Sequence, residues 1–293
     1  VGLHPARSGD PGPLPGVGHV TVNRHRPVVG KVKTVSVKRE GKRWYVVLTA
    51  EQAVPGPMPA TGSVTGIDMG IANFLADSHG GFVPSPCHGR QAAAELQAVQ
   101  QALARCKPRT NRRRKAVQKV AGLHRKVRRR RLDHAHKTAL DPVRAHDFIA
   151  HEDLKIRNIV KAPAPKPDPD RSGSFLPNGS AAKAGLNRSI ADAGWGVFLA
   201  ILHAKAESAG REVIAVDPHN TSRTCPNCGH VAAENRPTRE KFNCGHTAHA
   251  DTVGAVNVLR AGLVRATPGR ASEQPPASAG EESVRPAWAA AKG

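Results

Sequence analysis

The chain has 293 residues, 39% of them hydrophobic, enough for a packed core and for about two domains at roughly 150 residues each. Its 28 glycines and 24 prolines stay below the ~25–30% share that marks collagen-like or low-complexity chains. Lys and Arg number 44 against 23 Asp and Glu, a net charge of +21, so the expected partner is a polyanion, nucleic acid first.

No run of about 18 apolar residues occurs, which excludes a membrane-spanning helix, and Val1 to Pro15 lack the apolar core of a secretory signal. The chain opens on Val rather than Met, which fits a truncated or differently started reading frame, and residues 1–18 have the composition of coil. Five cysteines, at 87, 106, 225, 228 and 244, argue against a disulfide framework and for a reduced compartment, by default the cytoplasm.

Residues 19–50 alternate in polarity. Val35 and Val37 match Trp44, Val46 and Leu48 across the turn Glu40-Gly41-Lys42, the pattern of a β-hairpin with its apolar faces in register. Lys31, Lys33, Lys38, Arg39, Lys42 and Arg43 fill its polar positions, a face suited to water or to a phosphate backbone alike. From Val64 a second β-region predicts two short strands joined tightly, with Asp68 ending the first and a turn at Ser78-His79-Gly80-Gly81.

A helical hairpin follows. Leu96, Val99, Leu103 and Cys106 recur at helical spacing, as do Ala116, Val120, Leu123 and Val127 after the break at Pro108. Thirteen of the residues from 107 to 131 are Lys or Arg and none is acidic; they include Arg112, Arg113, Arg114, Lys115, Lys119, Arg125, Lys126, Arg128, Arg129, Arg130 and Arg131. So dense a run of like charge repels itself unless counter-charge arrives, which predicts contact with phosphates.

Phe148 to Glu152 reads as a buried strand ending in a carboxylate, and Lys161 to Ser180 as a mobile loop rich in Pro, Gly and Ser. Ile190, Trp195, Phe198, Leu199, Leu202 and Ala206 predict one helix ended by Gly210, and Val213 to Val216 a further strand, so this part has α/β order. From Ala266 onward the composition is that of a disordered tail.

Three carboxylates stand at element ends beside apolar runs: Asp68, Glu152 and Asp251, the last opening a helix over Ala255 to Leu263. Any one alone would be read as a cap. Together, in a chain with few acids, they are candidates for a Mg²⁺ cluster, where two ions about 3.5–4 Å apart assist phosphodiester cleavage. Cys225-Pro-Asn-Cys228-Gly229 is a metal-binding knuckle, and Cys244 adds a third thiolate. The fourth ligand of a zinc ribbon is missing from the pattern; His246, His249 and His230 are chemically able to replace it, with His246 slightly favoured. Cys87 and Cys106 read as a loop thiol and a helix-face core residue.

Gly66-Ile-Asp68-Met-Gly70, Ile149-Ala-His-Glu152-Asp-Leu154-Lys155, Leu186-Asn-Arg-Ser-Ile190 with Trp195, Thr221-Ser222 before the knuckle, and Gly245-His-Thr-Ala-His-Ala-Asp251 through Asn257 together resemble the TnpB (OrfB) family of transposon-encoded RNA-guided DNA nucleases. The resemblance covers residues 30–264 and implies an α/β fold: an RNase H-like (RuvC) domain with an inserted helical hairpin and zinc ribbon, plus a partial N-terminal wedge β-unit. The implied boundaries are coil 1–18, wedge unit 19–58, RuvC-like domain 62–220 with the basic hairpin at 91–137, incomplete ribbon 221–250, last RuvC segment 251–264 and tail 265–293. Implied too are Asp68, Glu152 and Asp251 as catalytic acids with two Mg²⁺, a structural Zn²⁺ on Cys225, Cys228, Cys244 and His246, and guide RNA and target DNA as partners. The chain departs from the family in three ways: the N-terminal helical module and most of the wedge have no counterpart, the ribbon is one thiolate short, and Val253 stands where Asn is frequent. Two functions therefore stay open, an RNA-guided endonuclease or a catalytically impaired remnant that only binds nucleic acid.

Overall fold

The computed structural model describes residues 11–14, 18–23, 27–41, 43–53, 56–238, 241–244 and 247–266. The chain divides into two compact units, residues 1–55 with 98–124 and residues 56–97 with 125–293. Most of the expected tail, from 267 on, lies outside the described residues, as do His246 and residues 1–10.

In the first unit, Pro11–Leu14 (β1), expected as coil, pairs antiparallel with Gly18–Thr21 (β2). Lys31–Glu40 (β3) and Arg43–Glu51 (β4) form the expected hairpin, with Val35 opposite Leu48, Val37 opposite Val46 and Arg39 opposite Trp44. Its basic positions are partly engaged: Lys33 pairs with Glu51 at 2.5 Å, Lys38 with Glu40 at 3.4 Å, and the Arg39 guanidinium lies 5.7 Å from the Trp44 ring centre.

In the second unit, Val64–Met69 (β5), Asn73–Asp77 (β6) and Phe82–Pro84 (β7) form a meander. A short helix His88–Gln91 (α1) follows, then Ala93–Ala104 (α2) and Asn111–Thr138 (α3), the two arms of the expected hairpin, whose residues are divided between the units. Leu140–Ala145 (α4) leads into Phe148–Glu152 (β8), Ile156–Ile159 (α5) and the two-residue strands Lys166–Pro167 (β9) and Phe175–Leu176 (β10). The stretch expected as a loop thus contains an antiparallel pair. Ser180–Ala193 (α6) and Trp195–Ala209 (α7) are two helices where the periodicity predicts one, because Gly194 takes φ 72°, a left-handed conformation that stops the first. Glu212–Val216 (β11) completes the main sheet; Lys241–Asn243 (β12), Thr247–His249 (β13) and Ala250–Ala266 (α8) end the described chain.

The sheet runs β11-β8-β5-β6-β7, with β11, β8 and β5 parallel and β6 antiparallel to both of its neighbours, β5 and β7. A three-strand meander extended by two parallel strands beside its first strand is the expected RNase H-like arrangement. Strand period decides which side chains meet which layer. Ile67 and Met69 of β5 and Ile149 of β8 join Phe74, Val143, Trp195, Phe198 and Leu202 in the larger core under α4 and α7. The alternate residues of β8, Phe148 and Ala150, pack with Val216 against Val258 and Leu259 of α8 on the other face. α8 comes closest at Gly66, where even a Cβ would stand 2.1 Å from the Ala255 carbonyl oxygen and 2.6 Å from the Leu259 nitrogen.

Candidate active site and metal centre

The α8 face of β5 carries Val64, Gly66 and Asp68; that of β8 carries Phe148, Ala150 and Glu152. Each strand repeats the order large apolar, small, acid at every second residue. The parallel register sets Gly66 beside Ala150 and Ile67 beside His151, so Asp68 and Glu152 leave the sheet side by side at its C-terminal edge. The small residues let α8 lie close, and its first turn supplies Asp251. A Cβ on Gly254 would be 2.8 Å from Asp68 Oδ2, and one on Gly70 would be 3.9 Å from Asp251 Oδ2. The structure thus brings the three expected acids into one neighbourhood, close enough for Glu152 and Asp251 to act on Asp68, although their oxygens are not all within 4.8 Å of one another and the residues are 183 apart in the chain at the extremes (251 less 68).

The charges feel one another. Burial, then the Glu152 and Asp251 carboxylates, push the Asp68 pKa up to about 8, against Arg236 and the Met69 backbone N–H. Burial also raises Glu152, with a Thr221 hydrogen bond and Arg236 opposing. Thr221 Oγ1 lies 2.6 Å from Glu152 Oε1, and Asn257, buried on α8, donates to the carbonyls of Thr221 and Thr224 at 2.7 and 2.8 Å. Arg236 Nη2 donates to Asp251 Oδ1 at 3.1 Å. The Trp195 indole N–H reaches the Gly70 carbonyl at 3.3 Å, tying the end of β5 to α7. Arg236 is the residue that sequence reasoning missed: it sits in Asn-Arg-Pro with no periodic or spacing signal.

Among the described residues, Cys225, Cys228 and Cys244 form a second cluster, with their sulfurs all within 4.8 Å of one another. Cys228 Sγ and Cys244 Sγ are 3.7 Å apart. Burial raises the Cys225 thiol, but the backbone N–H groups of Cys228 and Asn227 and the neighbouring thiols outweigh it, so its pKa falls. Burial and the other two sulfurs push Cys244 up to about 11. Phe242, Ala250 and Val253 pack with Cys225 in a small core joining the ribbon to the start of α8. His249 is engaged elsewhere: its Nδ1 accepts the Asp251 N–H at 3.2 Å and its ring packs edge-on against Phe82.

The basic residues lie on α3. Arg112, Arg114, Lys115 and Lys119 are exposed, as are Lys126, Arg128, Arg129 and Arg130 further along. Arg113 and Arg131 are among the basic residues that also have partners within the protein. Arg113 reaches the carbonyls of Leu103 and Cys106 at 3.5 and 3.4 Å, at the end of α2. Arg131 donates to Asp192 through Nε and Nη2 at 3.0 and 2.7 Å.

Residues 46–162 match OrfB_IS605, a family described as "Probable transposase", and residues 195–258 match the Cas12f1-like TNB domain. "Putative RNA-guided DNA endonuclease InsQ" of Escherichia coli (strain K12) is 36% identical over 255 residues, 85% of this chain and 61% of that protein. Over these segments the chain is similar to the TnpB (OrfB) family. A second relative, "Putative RNA-guided DNA endonuclease" of Streptomyces pristinaespiralis, is 31% identical over 245 residues, 82% of this chain and 56% of that one. The chain therefore spans 56–61% of the length of these curated relatives. The cryo-EM structure of a CRISPR-Cas12f ternary complex superposes with a TM-score of 0.46 at 18% identity, over 77% of this chain and 44% of the other. Among the described residues, no helix is long and apolar enough to cross a membrane.

Proposed function

We propose that this protein is a transposon-associated, RNA-guided DNA endonuclease that cleaves phosphodiester bonds at Asp68, Glu152 and Asp251 with two Mg²⁺. The observation that carries this reading is the gathering of Asp68, Glu152 and Asp251 at the end of the sheet, where burial first, and then the two neighbouring carboxylates, push the Asp68 pKa up to about 8. Three carboxylates with a single arginine beside them are hard oxygen donors that suit Mg²⁺. The names of its relatives support the substrate class. Bound there, Mg²⁺ supplies the positive charge that activates a water and stabilises the leaving oxygen.

The chain's own groups orient the site. Thr221 holds one oxygen of Glu152. Asn257 fixes the Thr221 loop to α8, so that Glu152 and Asp251 keep their spacing. Arg236 balances Asp251. The cysteine cluster would hold a structural Zn²⁺ that orders the ribbon carrying Arg236, and thiols kept reduced for that purpose suit the cytoplasm.

The protein purified with its co-expressed RNA, once that RNA is sequenced, should cut a matching DNA target in Mg²⁺ and not in EDTA. Binding of RNA and matching DNA with no cleavage in Mg²⁺ would establish the impaired remnant instead.

Guide and target would lie along α3. Replacing Arg112, Arg114 and Lys115 by Ala should flatten the dependence of log affinity for duplex DNA on log salt by up to about 3 units, at about 0.9 per phosphate contact. An unchanged slope in a salt titration would remove these residues from the interface.

A further inference from the structure

We infer that His230, on the first knuckle of the ribbon, is the fourth zinc ligand, making a Cys₃His site from Cys225, Cys228, Cys244 and His230. This rests on the reading of the ribbon as a zinc module and goes beyond it, because the sequence spacing places the missing ligand after Cys244 rather than before it.

Two edges of a tetrahedral site are present. With Zn–S near 2.3 Å and Zn–N near 2.0–2.1 Å, the edges of such a site are about 3.8 Å between sulfurs and about 3.6 Å between sulfur and nitrogen. Cys228 Sγ to Cys244 Sγ is 3.7 Å, and Cys244 Sγ to His230 Nδ1 is 3.8 Å. Two of the six edges of the expected polyhedron are therefore already set, one of them by an imidazole; the ring nitrogens are not within 4.8 Å of all three sulfurs, so the ring must turn toward Cys225 and Cys228 for the metal to be closed in.

The chain path explains how His230 gets there. The knuckle folds back so that the Cys225 N–H donates to the His230 carbonyl at 2.9 Å, and Thr224 bridges Val231. Asn235, buried, donates to the carbonyls of both Arg223 and His230, at 2.8 and 2.9 Å, and so pins the two strands of the knuckle together. His230 is held at the root of the knuckle by backbone bonds, independently of its ring. The ring's remaining polar contact, Nδ1 to Asn235 Oδ1, is long at 3.3 Å, and metal at Nδ1 would replace it. His249 is committed to the α8 N-terminus and Phe82.

The full-length chain, purified under reducing, chelator-free conditions, should contain about one equivalent of zinc. His230→Ala should weaken its zinc affinity in chelator competition by at least about tenfold, since losing even an outer-sphere partner of a ligand costs 10–100-fold. His246→Ala should retain zinc as the wild type does. His230→Cys should restore affinity, and its cobalt-substituted form should show absorption shifted to longer wavelength by the fourth thiolate. Wild-type affinity in His230→Ala, with loss in His246→Ala, would overturn the assignment and leave the zinc module standing. Less than about a tenth of an equivalent in the wild type would overturn both.

Discussion

Asp68→Asn is expected to lower target cleavage by at least about a thousandfold and, in the absence of metal, to raise the stability of the folded chain at pH 8. The second effect follows from the sign of the pKa shift. Burial first, and then Glu152 and Asp251, raise the folded pKa from the ordinary carboxylate value of 3.8 to about 8. Below pH ~4 the carboxyl is protonated in both states and costs nothing; as pH rises from ~4 to ~8 the unfolded chain releases its proton while the folded chain keeps it, so stability falls. Above ~8 the loss is complete. At ~1.4 kcal/mol per unit the ceiling is several kcal/mol, and the effect that survives relaxation is on the order of 2 kcal/mol. Asn keeps the shape without the titration. Thermal melts in EDTA should show the wild type losing stability between pH 5 and pH 8 more steeply than the variant, and Mg²⁺ should stabilise the wild type at pH 8 more than the variant. Equal pH dependence of the two proteins would mean that Asp68 is not buried among like charges. Together, lost cleavage and gained stability are the signature of a group held in a costly environment for its chemistry.

Much of this site is legible in the sequence because β-strands alternate. Val64-x-Gly66-x-Asp68 and Phe148-x-Ala150-x-Glu152 each place an acid two residues beyond a small residue on one face, and the small residues say that something packs there. That α8 does so, with Asp251 at its start, needs the tertiary fold. Arg236 is illegible for the same reason: it meets Asp251 only because the ribbon folds back over the end of the sheet, and nothing in its neighbours announces it. The helix predicted through Ile190 and Ala206 keeps its apolar stripe across Gly194, so periodicity conceals a break that only the backbone angle reveals. On α3, counting charges finds the basic stretch but cannot tell that Arg113 closes the end of α2 or that Arg131 serves Asp192.

Gly66→Ala and Gly254→Ala are expected to separate folding from catalysis. At Gly66 the added methyl would meet backbone atoms, the Ala255 oxygen at 2.1 Å and the Leu259 nitrogen at 2.6 Å. Neither can turn aside, so the whole of α8 must move off β5, at a cost of about 3 kcal/mol or more. At Gly254 the methyl would meet Asp68 Oδ2 at 2.8 Å, the end of a side chain that can rotate, and Ala gains up to about 1 kcal/mol of helix propensity over Gly. Gly254→Ala should therefore melt within a few degrees of the wild type. Its Asp68 carboxylate, however, would be displaced by about an ångström, which in a positioned site is worth roughly a hundredfold in rate. Thermal melts and single-turnover cleavage on the same preparations make the comparison. Wild-type stability in Gly66→Ala would mean that α8 does not seat on β5 at this point; wild-type cleavage in Gly254→Ala would mean that the chemistry does not depend on where Asp68 is held.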